Sequence, residues 1–496
     1  MAQYPFKTQP YDHQMKALKR ALKLKRCALL MEPRTGKTKV SIDYLSALAL
    51  AGKLDRAVIV APARVLDVWV EEFHTHCPVN YHLTVWDADA RKQPIPKPNR
   101  AYDLSVVIVN YEAFQVSGPR LESGNRSKKS GRFANRAMIE KWLDGQPAAM
   151  ILDESHRVKS PSGRAATMLV SMRPWFDYRL ILTGTPVTKA TRVFDIYMQW
   201  KFLNPERFAK WPTSEEFKEY FGKWTHRDGY PRLIKVQHTE QLNQMIHKDA
   251  YRVTRAECFD LPERTTIVRK VSLSAETGRV YDDMAEKYVA EIEHQTETHT
   301  VEATIPLVVT LRLMQITGGF ATVPNENHPE AKPTVIPVGD DKLKELEGII
   351  NEAIENDEKL VVCARFRGEL DAIANMVRDK GVPCFEIRGG MSRQDVTSNI
   401  KKFRELDSCS VVAMNPQAGG VGIDLSTASH MVWYSLTNSW VDYTQACDRI
   451  ALSKKATTYT YLLARGTVDT LLYRTLNNDG EVAAEVLKNP RALLRR

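Results

Sequence analysis

The chain has 496 residues, 43% apolar and 26% charged, with a formal net charge of +10. That length allows two or three domains, each with its own core, and excludes a single small module. No apolar run reaches the roughly 18 residues of a membrane span. Met1 to Pro10 is polar and lacks the apolar centre of a signal peptide, so neither a membrane protein nor a secreted one is expected. The positive balance favours a polyanionic partner, the alternative being a solubility surplus spread along the chain. The seven cysteines, Cys27, Cys77, Cys258, Cys363, Cys384, Cys409 and Cys447, show no paired spacing of the zinc or redox kind. They imply a reducing cytoplasm, no structural metal and thiols that pack.

Tyr11-Asp12-His13-Gln14 opens an amphipathic stretch, Met15 to Leu24. The Gln14 amide both donates and accepts, so it either reads the edge of an adenine or is an ordinary exposed helix residue. Cys27 to Met31 then reads as a strand, followed by Glu32-Pro33-Arg34-Thr35-Gly36-Lys37-Thr38 and a helix-compatible run, Lys39 to Ala51. Strand, loop, Gly-Lys-Thr and helix is the phosphate-binding order. The turn into the helix points backbone N–H groups at an anion, Lys37 adds a charge for the β/γ-phosphates, and the Thr38 hydroxyl can ligate Mg²⁺. The strict pattern wants Gly where this chain has Met31.

Arg56 to Ala61, Val106 to Tyr111, Met150 to Leu152 and Tyr178 to Pro186 continue the rhythm, giving five strands separated by helix-length spacers. The expectation is a parallel, doubly wound sheet. In Ala148 to His156 an apolar run ends in Asp153-Glu154. Ligands of open α/β sheets bind beyond the carboxyl ends of the strands, so Asp153 is placed to hold Mg²⁺ and Glu154 to polarise a water. The bland alternative is the start of a surface loop.

Residues 115–147 carry Arg120, Arg126, Lys128, Lys129, Arg132 and Arg136 among Ser, Gly and Asn, and read as a basic loop that is either solvated or in contact with phosphates. Residues 190–250 read as a helical insertion rich in aromatics, from Trp200 to Trp224, which favour a core over base-stacking platforms. A second helical segment is expected over 270–320, and Val323 to Pro337 reads as a loop. A second α/β unit follows, with strands at 359–364, 384–387, 410–414, 430–434 and 458–463. Between the third and fourth of these, Gly419-Gly420-Val421-Gly422 permits close backbone approach, and Asp424 can bond to backbone, ribose or an arginine. Gln445 and Arg449, at i and i+4, are expected on one helix face.

This order of motifs, with Thr183-Gly184-Thr185-Pro186 and Gln445-Ala446-Cys447-Asp448-Arg449, resembles superfamily 2 helicases and is most similar to the Swi/Snf group of DNA translocases. Arg157-Val158-Lys159-Ser160 and Leu311 to Ile316 add to the resemblance. It implies an α/β fold of two RecA-like lobes with helical insertions, here 1–255 and 256–496, with ATP in the cleft and DNA, duplex or branched, lying across both. It places Gln14, Gly36, Lys37, Thr38, Asp153, Gly422, Asp424 and Gln445 at ATP and Thr38 and Asp153 on Mg²⁺. Lys37, Glu154 and the finger Arg449 serve hydrolysis. Arg64, Asn110, Thr183, Thr185, Arg126, Lys128, Lys129 and Arg132 serve nucleic acid or coupling. Two positions depart from the group: Arg34 stands where the loop often has Gly, and Leu452 where a second arginine is usual. The length leaves no chromatin-reading appendage, so the expectation is a minimal, monomeric motor of the kind a phage or bacterium uses in replication, recombination or junction remodelling.

Overall fold

In the computed structural model, residues 4–99, 101–116, 131–184, 190–227, 230–259, 263–297, 304–323, 334–417, 423–453, 455–477 and 490–494 are described. The chain divides into two compact units, Met1–Asp260 and Leu261–Arg496. Among the described residues no helix is long and apolar enough to cross a membrane.

The first unit is built on seven parallel strands: β1 (Arg26–Met31), β2 (Arg56–Ala61), β3 (Tyr81–Val85), β4 (Leu104–Asn110), β5 (Ala148–Asp153), β6 (Tyr178–Leu182) and, after a hairpin of β7 (Gly222–Arg227) and β8 (Tyr230–Val236), β9 (Ala250–Val253). Their order across the sheet is β3-β4-β2-β5-β6-β1-β9. All seven residues of β4 and all six of β5 are buried. Such unbroken apolar runs belong to strands covered by helices on both faces. The covering includes α1 (Asp12–Leu24), α2 (Lys37–Leu50), α3 (Leu66–His76), α4 (Arg132–Leu143), α5 (Arg164–Met172) and α6 (Ile196–Leu203).

The second unit carries a six-stranded parallel sheet, β10 (Arg264–Val271), β13 (Lys359–Cys363), β14 (Cys384–Ile387), β15 (Ser410–Met414), β16 (His430–Trp433) and β17 (Thr457–Ala464), in the order β10-β17-β16-β13-β15-β14. Two parallel-sheet units flanked by helices, the expected α/β architecture, are therefore present. Helices Ala275–Glu297 and Thr304–Thr317 fill the expected second helical segment.

Three expectations need correction. Part of the supposed basic loop is α4, because Ile139, Trp142 and Leu143 bury one face of it and Asn135 Nδ2 donates to Ala113 O at 2.8 Å. The helical insertion contains the antiparallel β7–β8 hairpin, whose Trp, Thr, Tyr, Ile and Val suit a pleated surface; the sequence pair Asp228-Gly229 between them is a strong hairpin signal. The loop expected at 323–337 contributes β11 (Phe320–Val323) and β12 (Thr334–Pro337), which pair antiparallel. The aromatics of the insertion are largely core: Trp200, Phe202, Phe208, Phe217 and Phe221 are all buried.

A buried polar group braces the second unit. Glu369 Oε2 accepts the backbone N–H of Arg365 and of Phe366, each at 3.1 Å, and the Ser435 hydroxyl at 2.5 Å. Burial pushes its carboxyl up to about 7, against the lowering pull of Ser435, the Phe366 N–H and Lys342. The folded state thus holds this proton more tightly than the unfolded chain does. Its contribution to stability is full below the ordinary carboxylate range and is lost as pH rises through about 7. The thermal midpoint of the full chain is expected to fall between pH 6 and pH 8, and Glu369→Gln, which keeps the acceptor oxygen, is expected to flatten that fall. Parallel pH profiles of wild type and variant by differential scanning calorimetry check it.

Candidate functional site

Because the strands are parallel, β5, β6 and β1 deliver their carboxyl ends to one edge of the sheet, side by side. Asp153 faces Leu182 in register, and Leu182 faces Leu29. Three segments distant in sequence therefore meet: the acidic pair after β5, Thr183-Gly184 after β6 and the loop 32–36 after β1.

The loop turns into α2 through Gly36, which sits at φ +87°, where an L side chain is strained. A Cβ there would lie 2.2 Å from Gln14 Nε2. Gln14 is buried rather than an exposed helix residue. Its Oε1 accepts the Tyr11 N–H at 3.0 Å, and its Nε2 donates to Thr35 O at 3.3 Å, beside His13 Nε2 at 2.9 Å from the same oxygen. The adenine reading of Gln14 thus has a rival in this structure, support of the loop from behind. Lys37 Nζ donates to Met31 O at 2.9 Å, curling over its own loop.

The acidic pair is buried and separated by a turn. Glu154 takes a left-handed conformation, φ +51°. Asp153 Oδ1 accepts the Glu154 N–H at 3.0 Å, Oδ2 accepts the Trp69 indole N–H at 3.0 Å, and its carbonyl accepts the Tyr111 hydroxyl at 2.7 Å. Burial, then the neighbouring Glu154 charge, lifts the Asp153 carboxyl to about 6, while Trp69 and Lys37 pull the other way. Burial also pushes Glu154 up, but His156, whose Nδ1 lies 3.3 Å from Oε2, together with Lys37 and Arg157, outweighs it and leaves Glu154 below its ordinary value. Two adjacent carboxyls driven in opposite directions are suited to different tasks.

The donor set fits Mg²⁺ with a nucleotide. Thr38 and Asp153 offer hard oxygens, and Mg²⁺ is ordinarily held by one or two carboxylates plus waters and phosphates rather than by a protein cage. No group of three His, Cys, Asp or Glu side chains able to hold a metal occurs among the described residues. The first turn of α2 presents N–H groups of the kind that suit an anion.

Thr183 is buried and donates its N–H to Leu29 O at 3.2 Å. Gly184 abuts the loop so closely that a Cβ would lie 2.8 Å from Pro33 Cδ and 3.2 Å from Met31 O. Asn110, at the tip of β4, accepts from Arg91 Nη1 at 2.7 Å. Arg132 is the first residue of α4. Thr185, Gly422, Arg126, Lys128, Lys129 and the side chain of Arg64 lie outside the described residues.

In the second unit, Asp424 Oδ1 accepts the Ser426 N–H at 3.1 Å, and its Oδ2 lies 3.9 Å from Arg404 Nη2. Two of the partners open to it, backbone and arginine, are thus taken up. Gln445 and Arg449 do not share a helix as expected. The helix Trp440–Cys447 ends between them, and Arg449 lies in the turn beyond, buried, donating its N–H to Ala446 O at 3.1 Å. Sequence reasoning missed Trp69 and Tyr111. With Phe73 four residues on, Trp69 has the spacing of an apolar helix face, and nothing in the pattern distinguishes its N–H.

The contact at Gly184 generates a prediction. Gly184→Ala is expected to displace the loop and lower nucleotide turnover on the order of 10²-fold, the effect of moving a reacting group by about 1 Å, with the fold retained. Steady-state turnover and circular dichroism of the variant check both halves.

The SNF2-related domain model matches residues 13–318, and the helicase conserved C-terminal domain model matches residues 341–452. The ATP-dependent helicase fft3 of Schizosaccharomyces pombe is 20% identical over 89% of this chain and 52% of its own length. The ATP-dependent DNA helicase DDM1 of Arabidopsis thaliana is 23% identical over 84% of this chain and 53% of its own. The chain spans about half the length of these relatives. A solved Sulfolobus solfataricus SWI2/SNF2 ATPase core in complex with dsDNA is 19% identical, with a TM-score of 0.42, covering 100% of this chain and 98% of that one. With the SNF2-related model spanning residues 13–318, more than half of its length, the chain belongs to the SNF2-related family.

Proposed function

We propose that the chain is a nucleic-acid-stimulated ATPase that translocates on duplex or branched DNA. The observation that carries this reading is the meeting of the Gly36-Lys37-Thr38 turn with Asp153-Glu154 at one sheet edge, where Lys37 acts electrostatically on both carboxyls. Membership of the family and the net charge of +10 support a polyanionic track. A relative whose name specifies a DNA helicase supports DNA over RNA.

Under this reading Lys37 and the first-turn N–H groups of α2 hold the β- and γ-phosphates, and Thr38 and Asp153 hold Mg²⁺. Bound there, the metal would supply neutralisation of the charge on the phosphates. Glu154, held below its ordinary pKa and so ionised at neutral pH, orients the attacking water and takes its proton. Arg449 supplies the guanidinium expected of a finger, alone, since position 452 is Leu. Thr183 and Gly184 pass movement between the loop and the segment that follows them. Replication, recombination and fork or junction remodelling are the proposed settings of this translocation.

The test is ATP turnover against duplexes, forks, Holliday junctions, single strands and RNA. Lys37→Ala and Glu154→Gln are expected to abolish turnover, with Glu154→Gln still binding nucleotide, and Arg449→Ala to lose on the order of 10³-fold, far more than Lys455→Ala. Wild-type turnover in Lys37→Ala would sink the phosphate assignment. Stimulation by RNA alone would move the track from DNA to RNA, and nucleotide binding with no turnover on any polymer would make the chain a clamp.

We also infer that Arg126, Lys128 and Lys129, which lie among Ser, Gly and Asn in the sequence, touch backbone phosphates together with Arg132 at the start of α4. Neutralising all four is expected to reduce the salt dependence of duplex binding, by about 0.9 in log–log slope for each contact removed. Fluorescence anisotropy across a salt series reads the slope; an unchanged slope means the segment is merely solvated.

A further inference from the structure

We propose that Trp69 is a positioning residue for Mg²⁺: its indole N–H fixes the carboxylate plane of Asp153 in the orientation that binds the ion. This rests on the nucleotide reading above and names a residue that reading does not use.

Trp69 is 1% exposed, on α3, and its Nε1 lies 3.0 Å from Asp153 Oδ2. The other oxygen, Oδ1, accepts the Glu154 N–H at 3.0 Å. A carboxylate oxygen has two lone pairs, so each oxygen spends one on a protein donor and keeps one for the site. The two donors come from different directions, one a main-chain N–H in the same turn and one a side chain of a separate helix. Together they stop rotation about the last side-chain bond, a broad torsion that the staggered wells of the chain leave soft. The backbone beneath is pinned as well, through Tyr111 OH to Asp153 O. The indole itself is held by packing, with Phe73 at 6.3 Å between ring centroids.

Core packing alone does not account for the choice of indole. A phenyl ring fills most of the same space without leaving an N–H to be satisfied, whereas a buried indole N–H needs a partner. Here that partner is the metal-binding carboxylate. Residues that orient a ligand from behind in this way are typically worth about 10–100-fold in metal affinity. The position of α3 matters for a second reason. It follows directly on the short helix Ala63–Val65, which contains Arg64, so the segment expected to meet nucleic acid and the donor to Asp153 belong to one continuous stretch of chain.

The experiment measures binding of a fluorescent ADP to the 496-residue chain, in EDTA and across a Mg²⁺ titration. The proteins are wild type, Trp69→Phe, and a chain carrying β-(3-benzothienyl)alanine at position 69, which keeps the shape of indole but replaces the N–H by sulfur. Both altered chains are expected to bind nucleotide in EDTA within about twofold of wild type, while the Mg²⁺ midpoint rises about tenfold or more. If Trp69→Phe fails to fold, the benzothienyl chain alone decides. A Mg²⁺ midpoint unchanged in that chain overturns the inference, as does an equal loss of affinity with and without Mg²⁺, which would make Trp69 a packing residue only. A wild type whose nucleotide affinity ignores Mg²⁺ would overturn the nucleotide reading itself, a result visible before any variant is made.

Discussion

Two carboxylates side by side at the buried tip of β5 set the terms for everything around them. Adjacent like charges out of water are costly, and neither can be left without donors or counter-charge. The chain places Glu154 in a left-handed turn, at a backbone cost of roughly 1–3 kcal/mol. It then divides the neighbours between them. Asp153 receives neutral donors, the Glu154 N–H and the Trp69 indole; Glu154 receives His156 and Arg157, and Lys37 acts on both. The result is one carboxyl raised and one lowered, from residues adjacent in sequence.

That site exists only because the sheet is parallel and its order is β5-β6-β1. A strand between the acidic pair and the phosphate loop makes Thr183-Gly184 a wedge with neighbours on both sides. Close-packed interiors transmit displacement instead of absorbing it, and Gly184 leaves no slack against Pro33. The loop is held on its far side as well, where Glu32 Oε2 accepts the Arg255 N–H at 3.0 Å and faces Arg255 Nε at 3.3 Å. Whatever moves the loop must therefore move segments on either side of it.

Sequence pattern was most informative where burial is complete. All five strands anticipated in the first unit are interior strands, whose residues are apolar on both faces. Of the two large sheets, the strands missed, β3, β9 and β10, are all edge strands; β3 is half-buried throughout and β10 mostly exposed, although the edge strand β14 is legible. An edge strand needs no continuous apolar run, so Arg264-Thr265-Thr266 carries no signal of its place. The site shows the same division. Lys37, Thr38, Asp153 and Glu154 announce themselves by residue type at fixed spacing. Trp69 and Tyr111 act through a single polar atom on an otherwise apolar ring, and periodicity records only the ring. Gln445 and Arg449 erred differently: i,i+4 spacing implies one face only while the helix continues, and this helix stops at Cys447.

The two departures in the phosphate loop have separate physical accounts. Met31 closes β1, fully buried and in register with Val253 of the edge strand β9. Glycine there would remove core packing and weaken a strand end, so the position belongs to the sheet rather than to the turn. Arg34 is the opposite case, at φ +68°. Left-handed backbone is what glycine adopts freely and an L residue adopts at roughly 1–2 kcal/mol, which explains why glycine is often found at this position. The chain therefore holds strained backbone at Arg34, in the loop after β1, and at Glu154, after β5. Gly36, between Arg34 and the helix, takes its left-handed turn without that cost. Strain of this size persists only where the surroundings over-determine the conformation. Here those surroundings are Gln14 and His13 on Thr35, Arg255 on Glu32 and Gly184 against Pro33. The loop is thus shaped in advance by its neighbours, and ligand binding need not supply the free energy to form it.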